Sequence, residues 1–159
     1  MRARLRPPQQ LRPHRASLRP AHTAHKARVP KIHVSAVVMH DGEGRVLHVR
    51  KRGTATLMLP GGKPEPGETA AETAAREFTE ELGVAMDPAQ LTFLGEFRAA
   101  AANEAGFDVV AQVFTHPFLD GVTAQAEIDV VEWVHPSDQR SDMAPLNTEH
   151  IFPRLLGRT

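Results

Sequence analysis

Glu77, Glu80 and Glu81 fall within one five-residue stretch, and carboxylates at that spacing can hold a hard divalent cation. Residues three and four apart share a helix face, so Glu80 and Glu81 both stand beside Glu77 if the stretch is helical. Like charges so placed destabilise a bare helix by roughly 0.2–0.5 kcal/mol per pair. A chain that carries three of them has either solvated the face or neutralised it with cations, and carboxylate oxygens are the donors that Mg²⁺ takes.

The flanking residues define the helix that would present them. Thr69 followed three residues later by Glu72 forms a T-x-x-E capping box, which satisfies orphan backbone donors and fixes the start. Ala71, Ala74, Ala75, Phe78 and Leu82 recur at helical spacing on a stripe rotated away from the glutamates. Gly83 occupies the position of a left-handed C-terminal cap, so the pattern predicts a helix from Ala70 to Leu82. Before it, Pro60-Gly61-Gly62 and Pro66-Gly67 bracket a loop whose glycines allow close backbone approach and leave carbonyls free for a metal's shell.

Gly62, Glu68, Arg76-Glu77-Phe78, Glu80-Glu81 and Gly83-Val84, in their order and spacing, resemble the signature box of the Nudix hydrolases. Phe78 stands where that family usually has an aliphatic residue, a change that keeps the hydrophobic contact. The resemblance implies an α/β fold, a Nudix-type α/β/α sandwich with a mixed β-sheet, and metal-dependent hydrolysis of diphosphates linked to another moiety, usually a nucleoside. Carried over by position, Glu77, Glu80 and Glu81 would be ligands for Mg²⁺ or Mn²⁺, with the carbonyl of Gly61 as a further ligand. Arg76 would orient the glutamates, and Gly62 and Glu68 would brace loop and helix. Such chemistry needs neutralised phosphate oxygens, an activated water and in-line positioning, and no covalent nucleophile.

Composition fits one small catalytic domain. The chain has 159 residues, 41% hydrophobic, with no cysteine, which excludes disulfides and thiol catalysis. No apolar stretch reaches membrane-span length, so the expected setting is soluble, by default cytoplasmic, and the expected partner a small nucleotide. Oligomeric state is open, a homodimer included. The zero net charge hides a division. Residues 1–31 hold nine Arg or Lys and no acid, while the other 128 carry ten basic against nineteen acidic side chains, net −9. Residues 1–30 are therefore expected to be a disordered, basic, Pro/Arg-rich extension, and residues 31–159 the hydrolase domain. The extension reads as inert, as a nucleic-acid tail, as a targeting peptide or as a membrane-surface patch. The absence of interleaved aromatics and the five prolines favour the first.

Around the box, alternation and turn residues predict strands at 32–40, 45–51, 57–59, 91–98, 107–118 and 128–134, and a closing helix at 147–156 weakened by Pro153. Glu127, just before the strand containing Trp133, is a candidate general base or further metal ligand. Glu96 and Glu104 are weaker candidates for the same work. Arg50 and Arg52 alternate onto one strand face and are candidates for a phosphate clamp, with Lys51 opposite. Lys63 is a candidate phosphate contact and Asn103 a candidate base reader. His33, His40 and His48 match no zinc spacing.

The resemblance also narrows the substrate by elimination. Ala99 and Ala100 stand where ADP-ribose subgroups place a proline, there is no tyrosine, and the longer markers of other subgroups are missing. The chain looks most similar to the small nucleoside-triphosphate pyrophosphatases, including those that clear oxidised nucleotides. Diphosphate conjugates such as ADP-ribose, nucleotide sugars or dinucleoside polyphosphates are the alternative within hydrolases, and a non-catalytic nucleotide- or RNA-binding regulator the alternative outside them.

Overall fold

The computed structural model describes residues 28–158. The expected disorder of residues 1–30 falls, as far as residue 27, outside them.

Strands β1 (Lys31–Met39), β2 (Val46–Lys51), β3 (Gly61–Gly62), β4 (Thr92–Ala100), β5 (Asp108–His116) and β6 (Ile128–Val134) surround one long helix, α1 (Ala70–Leu82). A four-stranded sheet in the order β3-β1-β5-β4 holds the centre, with β1 and β5 parallel and the outer pairs antiparallel. β2 pairs antiparallel with β6 in a second, two-stranded sheet. Side chains alternate along β1, so Val37 and Met39 pack with Ala74, Ala75, Phe78 and Leu82 of α1, while Ala36 and Val38 pack with Leu146 and Ile151 of the C-terminal segment. The central sheet is thus covered on both faces, the α/β/α arrangement with a mixed sheet that the resemblance implies.

Thr69 caps α1 through its hydroxyl, which accepts from the Glu72 N–H at 3.1 Å, and Gly83 ends the helix with φ 72°. The predicted boundaries of α1 are the observed ones. Two other elements differ. The segment 57–59 makes only isolated bridges, to Val49 and Met143, and the short strand on the central sheet is Gly61–Gly62. A Cβ on Gly61 would lie 2.2 Å from the Ser35 carbonyl oxygen, so only glycine approaches β1 this closely. The closing helix is also split. Asn147–Ile151 is a π-helical turn, and α2 proper covers only Phe152–Leu155. Pro153 has no N–H to continue an α ladder, and the Phe152 N–H reaches back to the Asn147 carbonyl instead.

Candidate active site

Arg76 organises the outer rim of the site. Its guanidinium takes Glu68 in a two-pronged grip at 2.7 and 2.9 Å and donates to Glu77 at 3.0 Å, to Glu80 at 3.3 Å and to the Lys63 carbonyl at 3.0 Å. Glu68 also accepts from the Glu65 N–H at 2.7 Å and from the Thr73 hydroxyl at 3.1 Å. The bond from Arg76 holds the Glu68 carboxyl down at about 2, and the same bond raises Arg76 above its ordinary value. One cation therefore ties the glycine loop to α1 and aims two of the three helix glutamates.

Behind this rim the chemistry changes. Glu81 is 1% exposed. One of its oxygens accepts from the Gly61 N–H at 2.8 Å, and the other has no partner. Burial pushes the carboxyl up to about 8, opposed by the Gly61 N–H and reinforced by the charge of Glu77. Glu77 is raised as well, mainly by burial, with Arg76 acting against it. A Cβ on Gly62 would come within 2.4 Å of the Glu77 carboxyl carbon, so that carboxylate rests against bare backbone.

The donors fit a hard divalent cation. An orphaned buried carboxylate oxygen, a second carboxylate disfavoured in its charged form and a set of oxygen ligands all call for positive charge at this point. Among the described residues no three His, Asp or Glu side chains already converge as a metal-holding group. Here Glu77 and Glu80 are held by Arg76 instead, and Glu80 points outward with its side chain 53% exposed. The three glutamates thus share α1 but stand in different surroundings.

A cavity of about 500 Å³ opens beside them, lined by Gly61, Gly62, Lys63, Glu77, Asn103 and Glu127 among the residues singled out in the sequence. Its other walls are mostly apolar, including Ile32, Val34, Leu59, Ala100 and Val109. Glu104 joins the rim, 3.8 Å from Lys63. Arg50 and Arg52, the candidates for a phosphate clamp, are not among the residues that line this cavity. Arg50 pairs with Asp129 at 3.4 Å, and Arg52 lies beyond the end of β2. Their neighbour Lys51 shares the inward face of Leu47 and Val49, lines the cavity and stands 3.7 Å from Glu127. Glu96 is taken by the Gln112 amide on the neighbouring strand. His48 is fully buried beside Phe152, and Trp133 packs on Phe118 away from the cavity.

Asn147 escaped the sequence reading. It is 0% exposed, lines the cavity, and neither its amide nitrogen nor its amide oxygen has a partner. An unpaired buried amide costs free energy unless something bonds to it. The signal available in the sequence was a polar residue opening a segment otherwise apolar enough to pack, Leu146 and Ile151, ahead of a proline.

The NUDIX domain family model matches residues 29–155. A MutT-like protein of Streptomyces ambofaciens is 30% identical over 136 residues, 83% of each chain. The structure of a MutT protein from Methanosarcina mazei Go1 superposes with TM-score 0.67 at 24% identity, covering 82% of this chain and 96% of that one. A UDP-X diphosphatase structure superposes with TM-score 0.63 at 20% identity, covering 86% of this chain and 66% of that one. The two structural likenesses show a shared fold. A glycine loop that only glycine can form, a glutamate-bearing helix orchestrated by one arginine and a domain-length match to the family model lead to one conclusion: the chain belongs to the Nudix hydrolase superfamily.

Proposed function

We propose that this chain is a divalent-cation-dependent pyrophosphatase that converts a nucleoside or deoxynucleoside triphosphate, oxidised forms included, to monophosphate and diphosphate. The observation that carries the reading is the union, in one cavity, of an acidic end suited to a cation and an apolar wall ending in the unpartnered amide of Asn147. The acidic end suits a phosphate chain with its metal. The apolar wall suits a flat base, and an amide presents the donor and acceptor pair that a base edge complements.

Glu77, Glu80 and Glu81 would hold Mg²⁺ or Mn²⁺ with the Gly61 carbonyl. When bound, the cation supplies charge neutralisation on the phosphate oxygens and a more acidic water. Glu127 receives the proton of the attacking water as the new P–O bond forms and the bridging P–O bond breaks. Lys51 and Lys63 offset the charge of the phosphate chain, and Arg76 keeps the carboxylates aimed while Glu68 and Gly62 fix the loop. Asn147 bonds the base edge, with Asn103 at the rim.

The test is phosphate and diphosphate release across nucleoside triphosphates, oxidised nucleotides, ADP-ribose, nucleotide sugars and dinucleoside polyphosphates, each with Mg²⁺ and with chelator. Metal-dependent diphosphate release from a triphosphate is the expected result. Turnover restricted to the conjugates would replace the substrate, and nucleotide binding without any turnover would replace the activity with a regulatory one.

A further inference from the structure

Glu127 sits in a loop whose backbone is bound to the helix that carries the other carboxylates. The Thr123 N–H donates to the Leu82 carbonyl at 3.0 Å, and the Gln125 N–H donates to the Glu81 carbonyl at 2.9 Å. Helix ends leave such carbonyls without partners, so this loop completes the C-terminus of α1. The Gln125 side chain lies against Gly83, where an added Cβ would be 3.2 Å from its Cγ. From that anchor the chain turns sharply. The Ile128 N–H closes the turn onto the Gln125 carbonyl at 3.0 Å, with Ala126 and Glu127 between them.

Ala126 has φ 52°, and it is the one non-glycine residue with positive φ among the described residues. A side chain in that region crowds its own backbone, and such conformations persist where the surroundings enforce them. On the far side of Glu127, β6 carries an irregularity. Arg50 pairs with Val130 and Lys51 with Ile128, so Asp129 is passed over. A bulge of this kind re-aims the side chains beside it. The Arg52 N–H meanwhile donates to the Glu127 carbonyl at 2.7 Å, and Lys51 stands 3.7 Å from the Glu127 carboxylate. Glu127 is thus held between a strained residue and a bulge, with its backbone pinned to β2 and its loop pinned to α1.

We infer that Ala126 is a positioning residue for the active site: its left-handed backbone sets where the Glu127 carboxylate stands relative to Lys51 and to the glutamates of α1. The inference rests on the role proposed for Glu127. It also explains why a turn that glycine would relax is occupied by a residue that narrows the backbone's freedom.

The test is a double-mutant cycle on the full chain, with kcat and KM measured for the best substrate in the panel. Ala126→Val, whose branched side chain resists positive φ, is expected to lower kcat about tenfold with KM changed by less than about twofold. Ala126→Asn, a residue that accepts the left-handed region, is expected to recover most of that loss. In the Glu127→Gln background, Ala126→Val is expected to add nothing. Equal loss in both backgrounds, or no loss in the parent, overturns the proposal, as does full activity of Glu127→Gln alone. Amide hydrogen exchange supplies a readout independent of turnover. Faster exchange at Thr123 and Gln125 in Ala126→Val but not in Ala126→Asn supports the proposal, and unchanged exchange in both overturns it. A chain that hydrolyses nothing in the panel while showing the expected exchange pattern would sink the proposed activity and leave the loop's anchoring in place.

Discussion

The rim around Arg76 and the pocket behind it are built on opposite terms. At the rim every charge is matched: Arg76 reaches Glu68, Glu77, Glu80 and a backbone carbonyl. Behind it, a Glu81 oxygen and, in the cavity wall, both polar atoms of Asn147 are buried with no partner. A matched network fixes geometry, because breaking any bond exposes the others. Unmatched buried groups weaken the fold, and where they face a cavity a ligand can complete them. Around this cavity the contrast sets the network that fixes the site apart from the groups left for a ligand.

Neutral isosteres break that contrast most sharply. Glu81→Gln is expected to cut turnover about 100–1,000-fold while leaving the metal-free protein as stable as the parent or more so. Paired kinetics and melting curves decide it, since a fall in both would place Glu81 with the scaffold.

Outside the cavity an unmatched group has a different consequence, a dependence of stability on pH. The His48 Nε2 has no partner, its Nδ1 is 2.8 Å from the Val46 carbonyl, and burial lowers its pKa from 6.5 to about 4. The unfolded chain therefore takes up a proton that the fold refuses between those two values. Stability from this group is fully present above pH 6.5, declines as pH falls through the window and levels off below about 4. The difference is on the order of 3 kcal/mol. Denaturant titrations from pH 7 to 4 should show the slope, and His48→Met should flatten it while sparing kcat at neutral pH.

At the rim, Arg76→Gln is expected to lose about 10–100-fold in activity and also to lower the melting temperature, because the carboxylates lose both their aim and their counter-charge. Loss of activity alone would move Arg76 out of the scaffold. The smallest effect falls at Asn147. Asn147→Leu should raise KM for base-bearing substrates about tenfold and stabilise the protein by about 1 kcal/mol. An unchanged KM would mean that the amide reads nothing.

The legible parts of this molecule were those set by neighbours in the chain. Thr69, the alanine and Phe78 stripe and Gly83 encode α1 to the residue, because capping and helical periodicity act over three or four positions. The existence of β4 and β5 followed from alternation and turn residues in the same way. The face of β2 was harder. Alternation placed Arg50 and Lys51 on opposite sides but carried no information about which side was the cavity. The break at the closing helix was half visible, since Pro153 announced a defect whose form depended on packing.

From its sequence alone the chain determined the helix, its caps, the glycine loop and the set of carboxylates, because these are fixed by local geometry and spacing, and their order carries the resemblance to the family. The tertiary structure decided the rest. Glu81 is buried and Glu80 exposed because sheet and loop cover only one side of α1. Lys51 meets Glu127, 76 residues further along the chain, because β2 pairs with β6. Asn147 became a cavity residue because the C-terminal segment folds over the far face of the central sheet. Burial and the absence of a partner are properties of a packed surface, and no short-range pattern along a chain records them.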